Sequence, residues 1–282
     1  MTLPTSGQQP SQGQDLASHE DAVLPLDDGG LYVCQDGPRT APALLLLHGS
    51  AAAVGSWRAL VPLLTAAHHV IRIDLRGHGR SAPPAGGDYT VPGQARTVAA
   101  ALERLGVDRL VAVGHSSGGY AATALAELRP DLVTGLVLID TGPSLDAFDG
   151  PDSAAIGPEQ WPPSDAMLRM FASTGFREGF EIPQDLVDDA RTMTYEAFVG
   201  TQEAARAYLA ERTLPDRLAV LGKPLQVVFG DQDRRWRPSS AADYRKVPGA
   251  RVAWLPGSGH TPILEDPAGT AALLLAFTAS HA

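Results

Sequence analysis

Residues Val111 to Ala122 read VAVGHSSGGYAA. An apolar run stops at a knot of glycine, histidine and serine, and an alanine-rich run follows. The knot, Gly114-His115-Ser116-Ser117-Gly118, has G-x-S-x-G spacing. A residue on so tight a strand-to-helix turn has strained backbone dihedrals, and the flanking glycines let strand and helix approach closely. The Ser116 hydroxyl is then pushed out at the carboxyl end of the strand. The helix that follows offers its unpaired N–H groups to developing negative charge. A plain helix N-cap would also put a serine at such a junction, but a strand before the turn and a helix after it favour a nucleophile. A serine hydroxyl is a weak nucleophile at neutral pH. It needs a base within hydrogen-bond reach, and the base needs an acid to orient it.

The elements that must position these groups recur along the chain. ALLLLH (43–48), HVIRID (69–74), RLVAVG (109–114), LVTGLVLID (132–140), PLQVVFG (224–230) and ARVAWLP (250–256) read as buried strands. Helix-like stretches separate them: GSWRALVPLLTAA, VPGQARTVAAALERLG, SGGYAATALAELRP and PSSAADYRKV, with DPAGTAALLLAFTAS at the end. Strands alternating with helices predict right-handed crossovers and a mostly parallel sheet covered on both faces. The unbroken apolar character of the strands agrees. Between Thr141 and Gly222 no buried strand is evident. A structureless loop of that length would be implausible, so a helical insertion is predicted there. Most of its aromatic and methionine side chains should pack on one another. Trp161, Met170, Phe171 and Tyr195 are the candidates for contact with a substrate.

Five pieces taken in order resemble the α/β-hydrolase family. LLLLHGS resembles its strand and oxyanion loop, DLRGHGRS (Asp74–Ser81) its next strand end, and GHSSGG its nucleophile elbow. VVFGDQDRRWRP is similar to the G-x-x-D loop that presents the acid, and PGSGHTPILEDP to the terminal histidine loop. The resemblance covers nearly the whole chain beyond the first residues. It implies an α/β fold of that type, with a helical cap over the carboxyl ends of the strands. The expected organisation is a disordered tail over 1–20, a core over 21–140 and 223–282, and a cap over 141–222.

The family order is serine, acid, histidine. After Ser116, histidine occurs only at His260 and at His281 beside the C-terminus, so the resemblance implies His260 as the base. The G-x-x-D spacing falls on Gly230 and Asp233, which makes Asp233 the expected acid. Asp140, ending LVLID, is the runner-up, since some relatives carry the acid there. Asp231 is expected to bond backbone in the turn. Backbone N–H groups of Ser117 and, by resemblance, Ser50 would form the oxyanion hole. His48 and His78 match positions that shape loops. The implied activity is hydrolysis of a small-molecule carboxylic ester through an acyl-enzyme. Serine at the elbow argues against epoxide hydrolases and haloalkane dehalogenases. Lactonases, perhydrolases and carbon–carbon bond hydrolases share the pattern, as would a receptor-like ligand-binding protein of the same fold.

Composition narrows the partners. The chain of 282 residues carries 44 % hydrophobic and 19 % charged residues, enough for a sizeable core. Net charge is −10, the only lysines are Lys223 and Lys246, and no basic stripe occurs. Nucleic acid and anionic membrane are therefore not expected as partners. A small-molecule substrate is, and a homodimer is compatible with the sequence. Cys34 is the single cysteine and reads as a small buried hydrophobe. No metal or cofactor is expected: the adjacent His68 and His69 point apart in a strand, DQD has no second ligand cluster, and GHGRSA runs into PPAGGD rather than a helix. The N-terminus lacks the pattern of a signal peptide and no stretch is long enough to span a bilayer, so a cytoplasmic location is expected.

Overall fold

The computed structural model describes residues 19–151 and 156–281. Eight strands form one sheet: β1 (His19–Leu26), β2 (Gly29–Asp36), β3 (Ala43–Leu47), β4 (His69–Ile73), β5 (Leu110–His115), β6 (Val133–Ile139), β7 (Leu225–Gly230) and β8 (Arg251–Leu255). Their order across the sheet is β1-β2-β4-β3-β5-β6-β7-β8. The pairs β1·β2 and β2·β4 are antiparallel, and every later pair is parallel. The fold is that of an α/β hydrolase.

The strand signal is physical. Leu44 to Leu47 are fully buried. Leu45 and Leu47 join one core cluster, with Ile71, Ala112 and Leu136, while Leu44 and Leu46 join another, with Val70, Val111 and Val137. Alternate side chains of one strand thus feed two cores, one on each face of the sheet. Helices α1 (Val61–Leu64), α2 (Val91–Arg104) and α3 (Gly118–Leu128) lie among the first crossovers. Helices α4 (Asp165–Ser173), α5 (Gln184–Arg191), α6 (Tyr195–Glu211) and α7 (Leu214–Leu221) separate β6 from β7, and α8 (Pro262–Glu265) and α9 (Pro267–His281) follow β8. Thr90, Ser164, Thr194 and Thr213 cap α2, α4, α6 and α7 by accepting a backbone N–H one turn on.

Several details depart from the sequence reading. The expected tail, 1–20, lies outside the described residues apart from His19 and Glu20, and these two open β1. The first antiparallel pair was not anticipated. β1 is mostly exposed and carries charges, so it lacks the apolar run of a central strand. The stretch GSWRALVPLLTAA is two short pieces, a 3₁₀ turn at Val54–Trp57 and α1. PSSAADYRKV is a 3₁₀ segment, Pro238–Lys246. At the far end of the segment 141–222, α7 buries Leu214 and Leu218 in the main core cluster beside Tyr244.

Candidate active site

The first functional side chain is set by the turn after β5. Ser116 has φ +53°, a left-handed conformation rarely taken by a residue with a side chain. Hydrogen bonds on every side hold it there. Its N–H donates to the Ile139 carbonyl at 2.8 Å, and its carbonyl accepts from the Gly119 N–H and the Thr141 hydroxyl, each at 3.0 Å. Close approach makes glycine necessary behind it. A Cβ on Gly118 would lie 2.2 Å from the Leu47 carbonyl oxygen and 2.5 Å from that of His48. Strand β3 and helix α3 can meet only because that atom is missing.

The second and third side chains come from loops after β7 and β8. Asp233 Oδ1 accepts the N–H groups of Arg235 at 2.7 Å and Trp236 at 3.1 Å. Its Oδ2 accepts from His260 Nδ1 at 2.9 Å, and His260 Nε2 lies 2.9 Å from Ser116 Oγ. Asp233 and His260 are 6 % and 2 % exposed, so the chain of bonds is shielded from water. Burial by itself would raise the Asp233 carboxyl, but the His260 charge, its N–H and the Arg235 N–H reverse that and hold it below the usual range. Asp231 does what a turn aspartate should: Oδ1 accepts the Gly257 N–H at 2.7 Å. Asp140 does not touch His260 by hydrogen bond; its Oδ1 accepts the Gly230 N–H at 2.9 Å.

The other histidines are tied into loops. His48 lies between the Gly49 carbonyl on Nδ1 and the Leu75 N–H on Nε2, and its ring is 4.9 Å from that of His78. Burial pulls their pKa values down to about 4 and about 3, so both are neutral. His115 turns away from the Ser116 hydroxyl and donates Nε2–H to the His260 carbonyl at 2.7 Å. Burial also pulls it down to about 3. A neutral ring thus braces the backbone of the candidate base, His260, without competing for its proton.

Ser50 and Ser117 face each other, their hydroxyls 2.9 Å apart. Both border the same cavity as Ser116 and His260. Among the described residues, neither backbone N–H has an acceptor within the protein. Asp140, Asp233 and His260 bring oxygen or nitrogen atoms within 4.8 Å of one another, a grouping that could hold a metal. Both His260 nitrogens are already engaged, by Asp233 and Ser116.

The cavity above these groups holds about 480 Å³. Its walls are mainly apolar and come largely from the segment between β6 and β7. Trp161 and Phe171 line it as expected, with Leu168 and Phe198. Met170 does not: it is 61 % exposed. At 100° per residue, Leu168 and Phe171 share one face of α4, and Met170 falls on the opposite one. Tyr195 is also outside the lining; it packs edge-on against Trp161 with centroids 6.0 Å apart. One residue was missed altogether. The Glu265 side chain is fully buried and accepts N–H groups from Gly259 at 3.0 Å, Thr261 at 3.1 Å and Arg177 at 2.8 Å. It clamps both flanks of His260 and ties them to the segment above. A carboxylate five positions after the candidate base was the available signal.

The model of the alpha/beta hydrolase family matches residues 44–273, and the chain belongs to that family. It is 26 % identical over 284 residues to monoacylglycerol lipase ABHD6 of Mus musculus, covering 94 % of this chain and 82 % of the relative. It is 27 % identical over 267 residues to the sn-1-specific diacylglycerol lipase ABHD11 of Mus musculus, covering 89 % and 83 %. Among solved structures, the enol-lactonase of Burkholderia xenovorans LB400 superposes with a TM-score of 0.81 at 21 % identity, over 92 % of this chain and 100 % of that one. No helix of the described residues is long and apolar enough to cross a membrane.

Proposed function

We propose that the protein hydrolyses a small-molecule carboxylic ester through an acyl-enzyme. Ser116 attacks the carbonyl carbon while His260 Nε2 takes its proton. Asp233 keeps the proton of His260 on Nδ1 and stabilises the imidazolium that forms. The N–H groups of Ser117 and Ser50 receive the oxyanion, each donor being worth roughly 3 kcal/mol in the transition state. His260 returns its proton to the leaving alcohol, then activates water, and Ser116 is released with the acid product. The helices between β6 and β7 act as the cap, and their apolar side chains would hold the acyl group.

The observation that carries this reading is the unbroken bond chain from Asp233 through His260 to Ser116, at 2.9 Å in both links, opening on an apolar cavity. Kinship with two acylglycerol lipases supports an ester over a carbon–carbon bond as the group cleaved. The test is a panel of activated esters of graded acyl length, assayed with wild type and Ser116→Ala. Wild type should turn over and release alcohol in a burst under pre-steady-state conditions, with S116A inactive. Equal rates in the two proteins would end the proposal.

A further inference from the structure

Asp140 directly follows β6, one strand away from the loop that carries Asp233. Its side chain is completely buried. Oδ1 accepts the Gly230 N–H at 2.9 Å, while Oδ2 is buried with no hydrogen-bond partner so long as it carries no proton. The backbone is held at φ +44°, its N–H donating to the Val228 carbonyl at 2.9 Å. A side chain oxygen of Asp140 lies within 4.8 Å of one of Asp233 and of a His260 nitrogen. Two ionised carboxylates so placed, out of reach of water, would repel strongly, and one oxygen would stay unpaired. One proton removes both costs. It gives the orphaned oxygen a bond to make, and it turns repulsion into a charge-assisted hydrogen bond.

We propose that Asp140 is a positioning residue that stays protonated at neutral pH and donates its carboxylic O–H to the Asp233 carboxylate. Asp233 is then the anion bonded to His260, with all its donors fixed: two backbone N–H groups, the imidazole and Asp140. The groups facing Asp140 agree with that assignment. From the end of β7 it meets the Gly230 N–H and from the loop beyond it Asp233; from the loop after β8 it meets His260 and, farther off on α8, Glu265. Burial first, then the Asp233 charge, drive the Asp140 carboxyl well above the usual range, against a smaller pull from the Gly230 N–H. A donor on Asp233 spreads its charge, and without it the full negative charge would fall on the bond to His260 Nδ1.

The inference rests on the hydrolase reading for its kinetic consequence, though not for the protonation itself. Isotope-edited infrared spectroscopy of the full chain at neutral pH should show a protonated-carboxyl C=O band that is lost in Asp140→Asn. That measurement needs no turnover, so it stands even if no ester is cleaved. In D140N the amide can donate to Asp233 and accept from Gly230 as before. Its kcat/KM should stay within about threefold of wild type, with the acid limb of the pH profile unmoved. Asp140→Ala removes the donor: kcat should fall about tenfold at unchanged KM, with the acid limb about one pH unit higher. Absence of the band in wild type overturns the proposal. So does a D140N acid limb about one unit lower, since that means a real charge was removed. D140N as inactive as Asp233→Asn would make Asp140 the acid itself. A D140A protein that is merely less stable, with its acid limb in place, would reduce the residue to a structural prop and also overturn it.

Discussion

Replacing Ser116 by glycine should leave a more stable protein than replacing it by alanine, while both changes abolish turnover. The two variants lose the same 2.9 Å bond to His260, so their difference isolates the backbone. Ser116 sits at φ +53°, in a region that costs a residue with a Cβ about 1–3 kcal/mol. Alanine keeps that cost and glycine does not. Against it stands glycine's greater freedom in the unfolded chain, about 0.5–1 kcal/mol. The difference should therefore favour S116G by roughly 0.5–2 kcal/mol, or several degrees in Tm at about 2–4 °C per kcal/mol. Urea and thermal unfolding of both variants read the stability, and the ester panel reads the activity. If S116G is no more stable than S116A, the elbow is not strained in the way proposed, and its left-handed backbone is simply what this turn prefers.

Gly118→Ala pushes a methyl against two backbone carbonyl oxygens, 2.2 Å and 2.5 Å away. It should cost about 1–3 kcal/mol by overpacking and remove most activity, whereas Ser50→Ala, which keeps its N–H, should leave kcat nearly intact; urea midpoints and initial rates check both. Phe171→Ala enlarges the cavity and should shift the preferred acyl chain to greater length, while Met170→Ala, on the solvent side of α4, should leave the chain-length profile unchanged. His48, His78 and His115 stay neutral when folded, with pKa values of about 4, about 3 and about 3. In the unfolded chain they protonate near pH 6.5. Below that pH the unfolded state binds more protons, so these histidines make stability fall on acidification until their folded values are reached. Asp140 and Asp189 oppose them. Burial raises both, Asp189 to about 6, so the folded state keeps protons there that the unfolded state has released. Burial lowers His68 and His69 as well and raises Asp74; five histidines against three carboxyls leave stability falling from pH 7 to pH 5. Urea unfolding at pH 7, 6 and 5 measures it; stability that is flat or rising toward pH 5 would contradict the buried neutral state.

Much of the site was legible because its determinants are local. An elbow needs a strand, small residues and a helix within about a dozen positions, and those appear in one stretch around Ser116. Buried parallel strands need unbroken apolar runs, and Leu44–Leu47 or Val111–Val113 cannot easily be anything else. Asp233 was marked by the likeness of its loop to the family's G-x-x-D pattern, with Asp140 left as the runner-up. The edge pair β1 and β2 was harder to see. Its stability comes from pairing across the hairpin and onto β4, which a half-exposed run of mixed residues does not announce.

What the sequence determined by itself was the order of strands and helices and the kind of group standing at each strand end, since periodicity and turn chemistry act between near neighbours. Only the tertiary structure decided which groups meet. Asp140 and Asp233 are equal in kind and each follows a strand, Asp140 directly after β6 and Asp233 in the loop after β7; the choice between them depends on which carboxylate reaches the Nδ1 of His260. Met170 and Phe171 are adjacent and both large; a rotation of 100° on a helix sends one to solvent and the other to the cavity. Glu265 became meaningful once its carboxylate was seen to gather N–H groups from both sides of His260 and from Arg177, 88 residues away. Contacts between distant residues follow from packing a whole core, and no short stretch of chain contains that information.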